Sequence, residues 1–183
     1  MKKTTLFLLA ALIVFISCET RRNGDKDKDK LKQALSMWIG KEIFLPKDLE
    51  IKAREKDTIC NDIFSKKFKV LIYVDSIGCT ACKFKLFEWG EIIKKVLKNN
   101  SNVSFLFYVH SNDYVKLEEF TQINKFIYPI IYDKADKLNR LNHLPDNLRF
   151  HTFLLDQNNK IVLVGNPVGN SKLLDLYLQQ ISK

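Results

Sequence analysis

Two cysteines three positions apart, Cys79 and Cys82, lie within DSIGCTACKFKLFEWG, residues 75–90. A pair so spaced can exchange disulfides, hold a metal, or tie a turn. Exchange follows if the pair opens a helix. The cysteine nearer the helix start then faces unpaired backbone N–H groups and the positive end of the dipole. Both stabilise a thiolate, which is the attacking species. On this reading Cys79 is the nucleophile, and Cys82, further in, resolves the mixed disulfide. Lys83 and Lys85 add positive charge nearby, and Asp75 opposes them.

Positioning such a pair takes a rigid strand before it and a helix after it. FKVLIYVD, 68–75, is a continuous apolar run that suits a central strand covered on both faces. Cys82, Leu86, Trp89, Ile93 and Val96 have the spacing of one helical face. Upstream, Leu31, Ala34, Leu35 and Trp38 have helical spacing that Gly40 can end, and EIFLP is a short strand candidate stopped by Pro46. Residues 47–66 show no clear pattern. Downstream, NVSFLFYVH is a second buried strand and YVKLEEFTQI a short amphipathic helix. IYPIIYD is a strand whose Pro129 needs an edge or a non-bonding position. KADKLNRLN is a helix, FHTFLLD and KIVLVG form a hairpin around QNN, and SKLLDLYLQQIS is a last helix with Ser171 as cap. This order predicts an α/β fold with a mixed central sheet and helices on both faces. The first strand ends at the cysteines, the end of an open sheet where chemistry sits.

The 183 residues are 46% hydrophobic and 28% charged, with few Gly and Pro, enough for one ordinary core without disulfides. The N-terminus stands apart. Lys2 and Lys3 precede an apolar run from Leu6 to Ile16, well short of the roughly 18–20 residues of a membrane span. Residues 1–17 therefore read as a secretory signal. Ser17 followed by Cys18 resembles the lipobox of bacterial lipoproteins, which implies cleavage and acylation of Cys18. Residues 18–30, rich in both charges, read as a tether, and 31–183 as the folded domain. The expected location is the cell envelope, periplasmic or surface-facing, on a lipid anchor. The formal net charge is +9, but the Lys and Arg residues are scattered rather than striped, so no nucleic-acid partner is expected.

A buried strand, CxxC, then a long helix resembles the thioredoxin superfamily. The resemblance runs from about Glu42 to Lys183. IYPIIYDKADKLNRLN and FHTFLLDQNNKIVLVGNP look like the extra strand-helix unit and the hairpin of the TlpA-like and redoxin branch. That implies a thioredoxin-like fold, protein thiols or disulfides as substrates, a redox-recycling partner and no cofactor. Three positions depart from the family pattern. Gly78 stands in place of a Trp before the first cysteine. Phe150 stands in place of the cis-proline that faces the cysteines. A cis bond there would cost about 3–4 kcal/mol without proline, so a trans bond is expected. Tyr73 stands where thioredoxins keep a buried carboxylate. By the same resemblance His151 lies near the cysteines, where it stabilises the thiolate or moves its proton. The contrary reading is a strand residue facing solvent.

Rival readings remain. A peroxiredoxin-like thiol peroxidase would use Ser76, three before Cys79, and Arg149, although Ile72 stands where its proline belongs. Structural zinc wants four ligands and one CxxC supplies two, with Cys60 or His151 to add; no metal is assigned. A non-catalytic, thioredoxin-like binding lipoprotein fits the three departures. Cys60 reads as a half-buried free thiol. His110 and His143 read as loop residues without a role.

Overall fold

The computed structural model describes residues 35–53, 62–75 and 85–183. Cys18, Cys60, Ser76, Gly78, Cys79 and Cys82 lie outside them, as do the signal and tether. The chain divides into two units between Trp38 and Ile39. Of the first unit, only 35–38 is described. Leu35 and Ser36 are helical there, and Trp38 N–H closes a turn on the Leu35 carbonyl at 3.1 Å.

In the second unit, among the described residues, six strands form one mixed sheet. They are β1 (Glu50–Lys52), β2 (Phe68–Val74), β3 (Val103–Val109), β4 (Ile130–Tyr132), β5 (Thr152–Leu155) and β6 (Ile161–Val164). The order across the sheet is β1-β4-β3-β2-β5-β6. β2 and β3 run parallel from Phe68 opposite Val103 to Val74 opposite Val109, and every residue of both is buried. Continuous apolar runs form central strands because both faces are covered. β5 lies antiparallel to β2 on its other side, and β6 returns antiparallel to β5.

The helices are α1 (Leu86–Asn99), α2 (Tyr114–Ile123), α3 (Lys137–Asn142) and α4 (Ser171–Ile181). Leu86, Trp89, Ile93 and Val96 of α1 are buried as their spacing requires, together with Ile92. They pack with Leu117 of α2 and with Tyr177 and Ile181 of α4 on the sheet face of Val70, Ile72, Phe105 and Phe107. α3 and residues 41–46 cover the opposite face, where the Tyr108 hydroxyl donates to the Pro46 carbonyl at 2.7 Å. Lys69 also lies on that face, fully buried. Its flexible stem carries Nζ to the carbonyls of Lys66 and Gln157, at 3.1 and 3.3 Å.

Two expectations need correction, EIFLP as a strand and Ser171 as a cap, and two readings are filled in. EIFLP is not a strand. Glu42 makes one isolated bridge to Lys160, and the N–H and carbonyl of Phe44 are both taken by the Asn142 side chain, at 2.8 and 2.9 Å. A side-chain amide thus occupies the place of a strand partner. The unpatterned 47–66 stretch contains β1, whose pairing with β4 is long-range and whose three residues are too few to show a period. β4 is interior, and Pro129, just before its first bonded residue, takes the second alternative, the non-bonding position, so the ladder loses no donor. The cap of α4 is Asn170, whose side chain accepts from Leu173 N–H at 3.1 Å, and Ser171 is the first helical residue.

Candidate active site

β2 runs out at Val74, and Asp75 follows at the carboxyl end of the parallel strands. Because β5 is antiparallel to β2, its first residue reaches the same end, with Thr152 opposite Ile72. A 3-10 turn, Leu148–Phe150, feeds β5. Asn147 caps the turn by accepting from Arg149 N–H at 3.1 Å. Tyr73 N–H then donates to the His151 carbonyl at 2.9 Å, which ties the turn to β2. The turn after β6 closes the third side, where Gly165 N–H donates to Thr152 at 2.8 Å.

These elements enclose a cleft of about 300 Å³ whose walls include Asp75, Lys85, Arg149, His151, Tyr73 and Asn166. Asp75 and Lys85 are the described residues on either side of 76–84, the segment that carries Cys79 and Cys82. The residues flanking that segment therefore line one cleft.

His151 is buried, with 8% of its surface exposed. It precedes β5 and does not face solvent, which corrects the contrary reading. Its Nε2 lies 2.7 Å from the Pro145 carbonyl. A carbonyl only accepts, so Nε2 carries the proton, and Nδ1 is the basic nitrogen of the neutral ring. The imidazole packs on the Tyr73 ring at 5.1 Å between centroids. Tyr73 stands where the sequence resemblance leads one to expect a buried carboxylate, yet a carboxylate is present. The Tyr73 hydroxyl donates to Asp136 Oδ1 at 2.5 Å. Burial, then this bond and the charges of Asp136, Asp75 and Asp133, push the phenol well above its usual range, so it remains a donor.

Phe150 is half-buried at the end of the 3-10 turn, and the cleft wall there is Leu148, Arg149 and His151 instead. No cis peptide occurs among the described residues, so Arg149–Phe150 is trans, as expected. α1 begins later than its spacing implied. Lys85, its N-cap, has φ 38° and makes no side-chain cap, so the first turn opens at Leu86. His110 and His143 are not among the residues lining the cleft. No group of three or more His, Cys, Asp or Glu among the described residues is arranged to hold a metal.

Sequence reasoning missed Asp136. An aspartate just ahead of a helix reads as its cap, but here Asp133 does that work, accepting from Lys137 and Leu138 N–H at 2.7 and 2.8 Å. The Asp136 carboxylate is left for Tyr73.

No family model matches the chain, and no curated protein matches it. Solved structures do. A proposed protein disulfide isomerase from Bacteroides thetaiotaomicron aligns with TM-score 0.54 at 20% identity, over 78% of this chain and 87% of its own. A thioredoxin-like protein in the oxidized form aligns with TM-score 0.52 at 15% identity, over 79% and 96%. The bacterioferritin comigratory protein of Xanthomonas campestris, known for alkyl peroxide reduction, aligns with TM-score 0.51 at 14% identity, over 76% and 95%. At such identities the likeness speaks to architecture alone, and that architecture is a thioredoxin-like fold.

Proposed function

We propose that the chain is a thiol-disulfide oxidoreductase that acts through Cys79 and Cys82. The observation that carries this reading is that Asp75 and Lys85, which flank the CxxC segment, line one cleft walled by a buried histidine and two cations. The Cys79 thiol gives its proton to His151 Nδ1. The thiolate attacks one sulfur of a substrate disulfide, that S–S bond breaks, and the departing substrate thiolate takes a proton. Cys82, deprotonated in turn, attacks the Cys79 sulfur and releases the second substrate thiol. Two electrons have passed to the substrate, and a Cys79–Cys82 disulfide remains for a dithiol partner to reduce. Run backwards, the same steps oxidise a substrate dithiol. The likeness to a proposed disulfide isomerase supports this reading. The test is insulin reduction by the full chain with a dithiol donor. A rate no faster than the donor alone would reject the proposal.

A thiol peroxidase is the second reading, favoured by Arg149 on the cleft wall and by the likeness to an alkyl peroxide reductase. A guanidinium there would stabilise both a thiolate and the departing oxygen of a peroxide. Peroxide consumption faster than insulin reduction would select it.

The sequence features of 1–30 support export and an acyl anchor on Cys18, with the domain held at a bacterial membrane. The full chain is expected to enter the detergent phase of a phase-separating extract. Cys18→Ala is expected to move it to the aqueous phase. An unchanged partition would remove the anchor from the reading.

A further inference from the structure

Asp136 is set in an unusual way. Its backbone has φ 53°, a left-handed conformation that Asp adopts more readily than most side chains. It stands at the N-cap position of α3 yet makes no cap, because Asp133 already holds the first N–H groups. Its Oδ1 takes the Tyr73 hydroxyl instead, and its Oδ2 takes Asn139 Nδ2 at 3.1 Å. Nothing in helix formation requires this arrangement. Its effect is to hold the tip of the phenol, while the main chain of Tyr73 is held separately by its N–H bond to the His151 carbonyl at 2.9 Å. The fixed ring lies against the His151 imidazole, 5.1 Å between centroids and tilted by 58°. The opposite constraint on the imidazole is the Pro145 carbonyl at 2.7 Å. Turning the imidazole over would give up the Pro145 contact in a buried site, where an unpaired polar group is costly.

We propose that Tyr73 and Asp136 are positioning residues for His151, holding the imidazole in its Nε2–H tautomer so that Nδ1 is the nitrogen that accepts a proton. This rests on the proton-accepting role given to His151 above. It adds a part-buried phenol-carboxylate pair that works through the histidine, in a fold position where a carboxylate alone is expected. The charged groups around the imidazole come from each neighbouring element. They are Asp75 at the end of β2, Lys85 at the start of α1, Arg149 in the 3-10 turn, and Asp136 with Asp133 behind Tyr73. Asp146 is exposed beside Pro145 in the chain. Of these, Asp136 is the one joined to the imidazole through Tyr73.

The test uses the full chain with ¹⁵N-labelled histidine, the His151 signals being assigned by their loss in His151→Asn. Imidazole nitrogen shifts are expected to report one Nε2–H tautomer. Tyr73→Phe, which keeps the ring but frees it from Asp136, is expected to give a mixture of tautomers. Asp136→Asn removes a negative charge, so it is expected to lower the imidazole titration midpoint by about half a pH unit. The acid limb of the insulin-reduction profile should move down with it. Asp136→Asn is close in shape to the original and keeps the proposal testable if Tyr73→Phe does not fold. A single unchanged tautomer in Tyr73→Phe, or an unmoved midpoint in Asp136→Asn, overturns the positioning role. If the wild-type chain shows no exchange activity while the tautomer still responds to Tyr73→Phe, the oxidoreductase reading fails and the positioning pair stands.

Discussion

Cys79→Ser is expected to bring insulin reduction down to the rate of the dithiol donor alone, a loss of about a thousandfold or more. A free cysteine ionises near pH 8.5, so even an unassisted thiol is a few per cent thiolate at neutral pH. A serine hydroxyl is not ionised there, and an alkoxide could not form the mixed disulfide in any case. Cys82 is assigned the second step and Cys60 reads as a half-buried thiol, so neither is expected to replace it as first attacker. Cys82→Ser should then behave differently. The first exchange still occurs, but the resolving sulfur is gone, so a mixed disulfide with the substrate accumulates and is visible on a non-reducing gel. Full activity in Cys79→Ser would transfer the protein to the non-catalytic binding reading. Equal activity in both variants would remove the asymmetry between the two cysteines.

Trp89→Ala should cost about 3–5 kcal/mol of folding stability, the loss expected when a large aromatic side chain leaves a close-packed core. Trp89 is fully buried in the first turn of α1, edge-on to Phe105 at 6.2 Å and to Phe107 at 5.8 Å. It joins the helix that follows the CxxC to the second central strand. Its indole Nε1 meets no acceptor among the described residues. A buried, unsatisfied donor costs about 1–3 kcal/mol. Trp89→Phe keeps most of the ring contact and removes that donor, so its net cost should stay within about 1 kcal/mol. Urea unfolding followed by circular dichroism measures both. A loss in Trp89→Phe as large as in Trp89→Ala would mean that the indole N–H is satisfied after all.

What the sequence made legible follows the range of the interactions involved. β2 and β3 could be read because full burial demands unbroken apolar runs, and α1 because burial on one face demands helical spacing. The hairpin of β5 and β6 could be read because its turn is local, with Asp156 N–H bonded to the Lys160 carbonyl at 2.9 Å and Asn159 at φ 58°. β1 could not, because Glu50–Lys52 become a strand only against Tyr132–Ile130, about 80 positions along the chain. EIFLP misled for the same reason, since Asn142 intercepts Phe44 from far away in sequence. At the site, His151 was singled out only through the family resemblance, as the residue after Phe150. Asp136 was not, because its partner Tyr73 belongs to another element and its place in sequence resembles an ordinary cap. The missing carboxylate of β2 was noted, but no residue pattern announces that a carboxylate arrives from α3.

The segment before β1 has one more effect. Gly40, with φ 82°, turns the chain alongside β6, and Gly40 N–H, Ile161 N–H and Ile43 N–H then bond across to Ile161, Lys41 and Asn159 at 2.7, 2.9 and 2.9 Å. Half of the sheet's outer margin is thereby closed from within the molecule. The opposite margin, β1, carries Glu50 and Lys52, each engaged in ion pairs with Lys134 and Glu118. Among the described residues, neither border offers a neighbouring molecule a free apolar strand to lengthen, which guards these margins against sheet-to-sheet aggregation when copies crowd together.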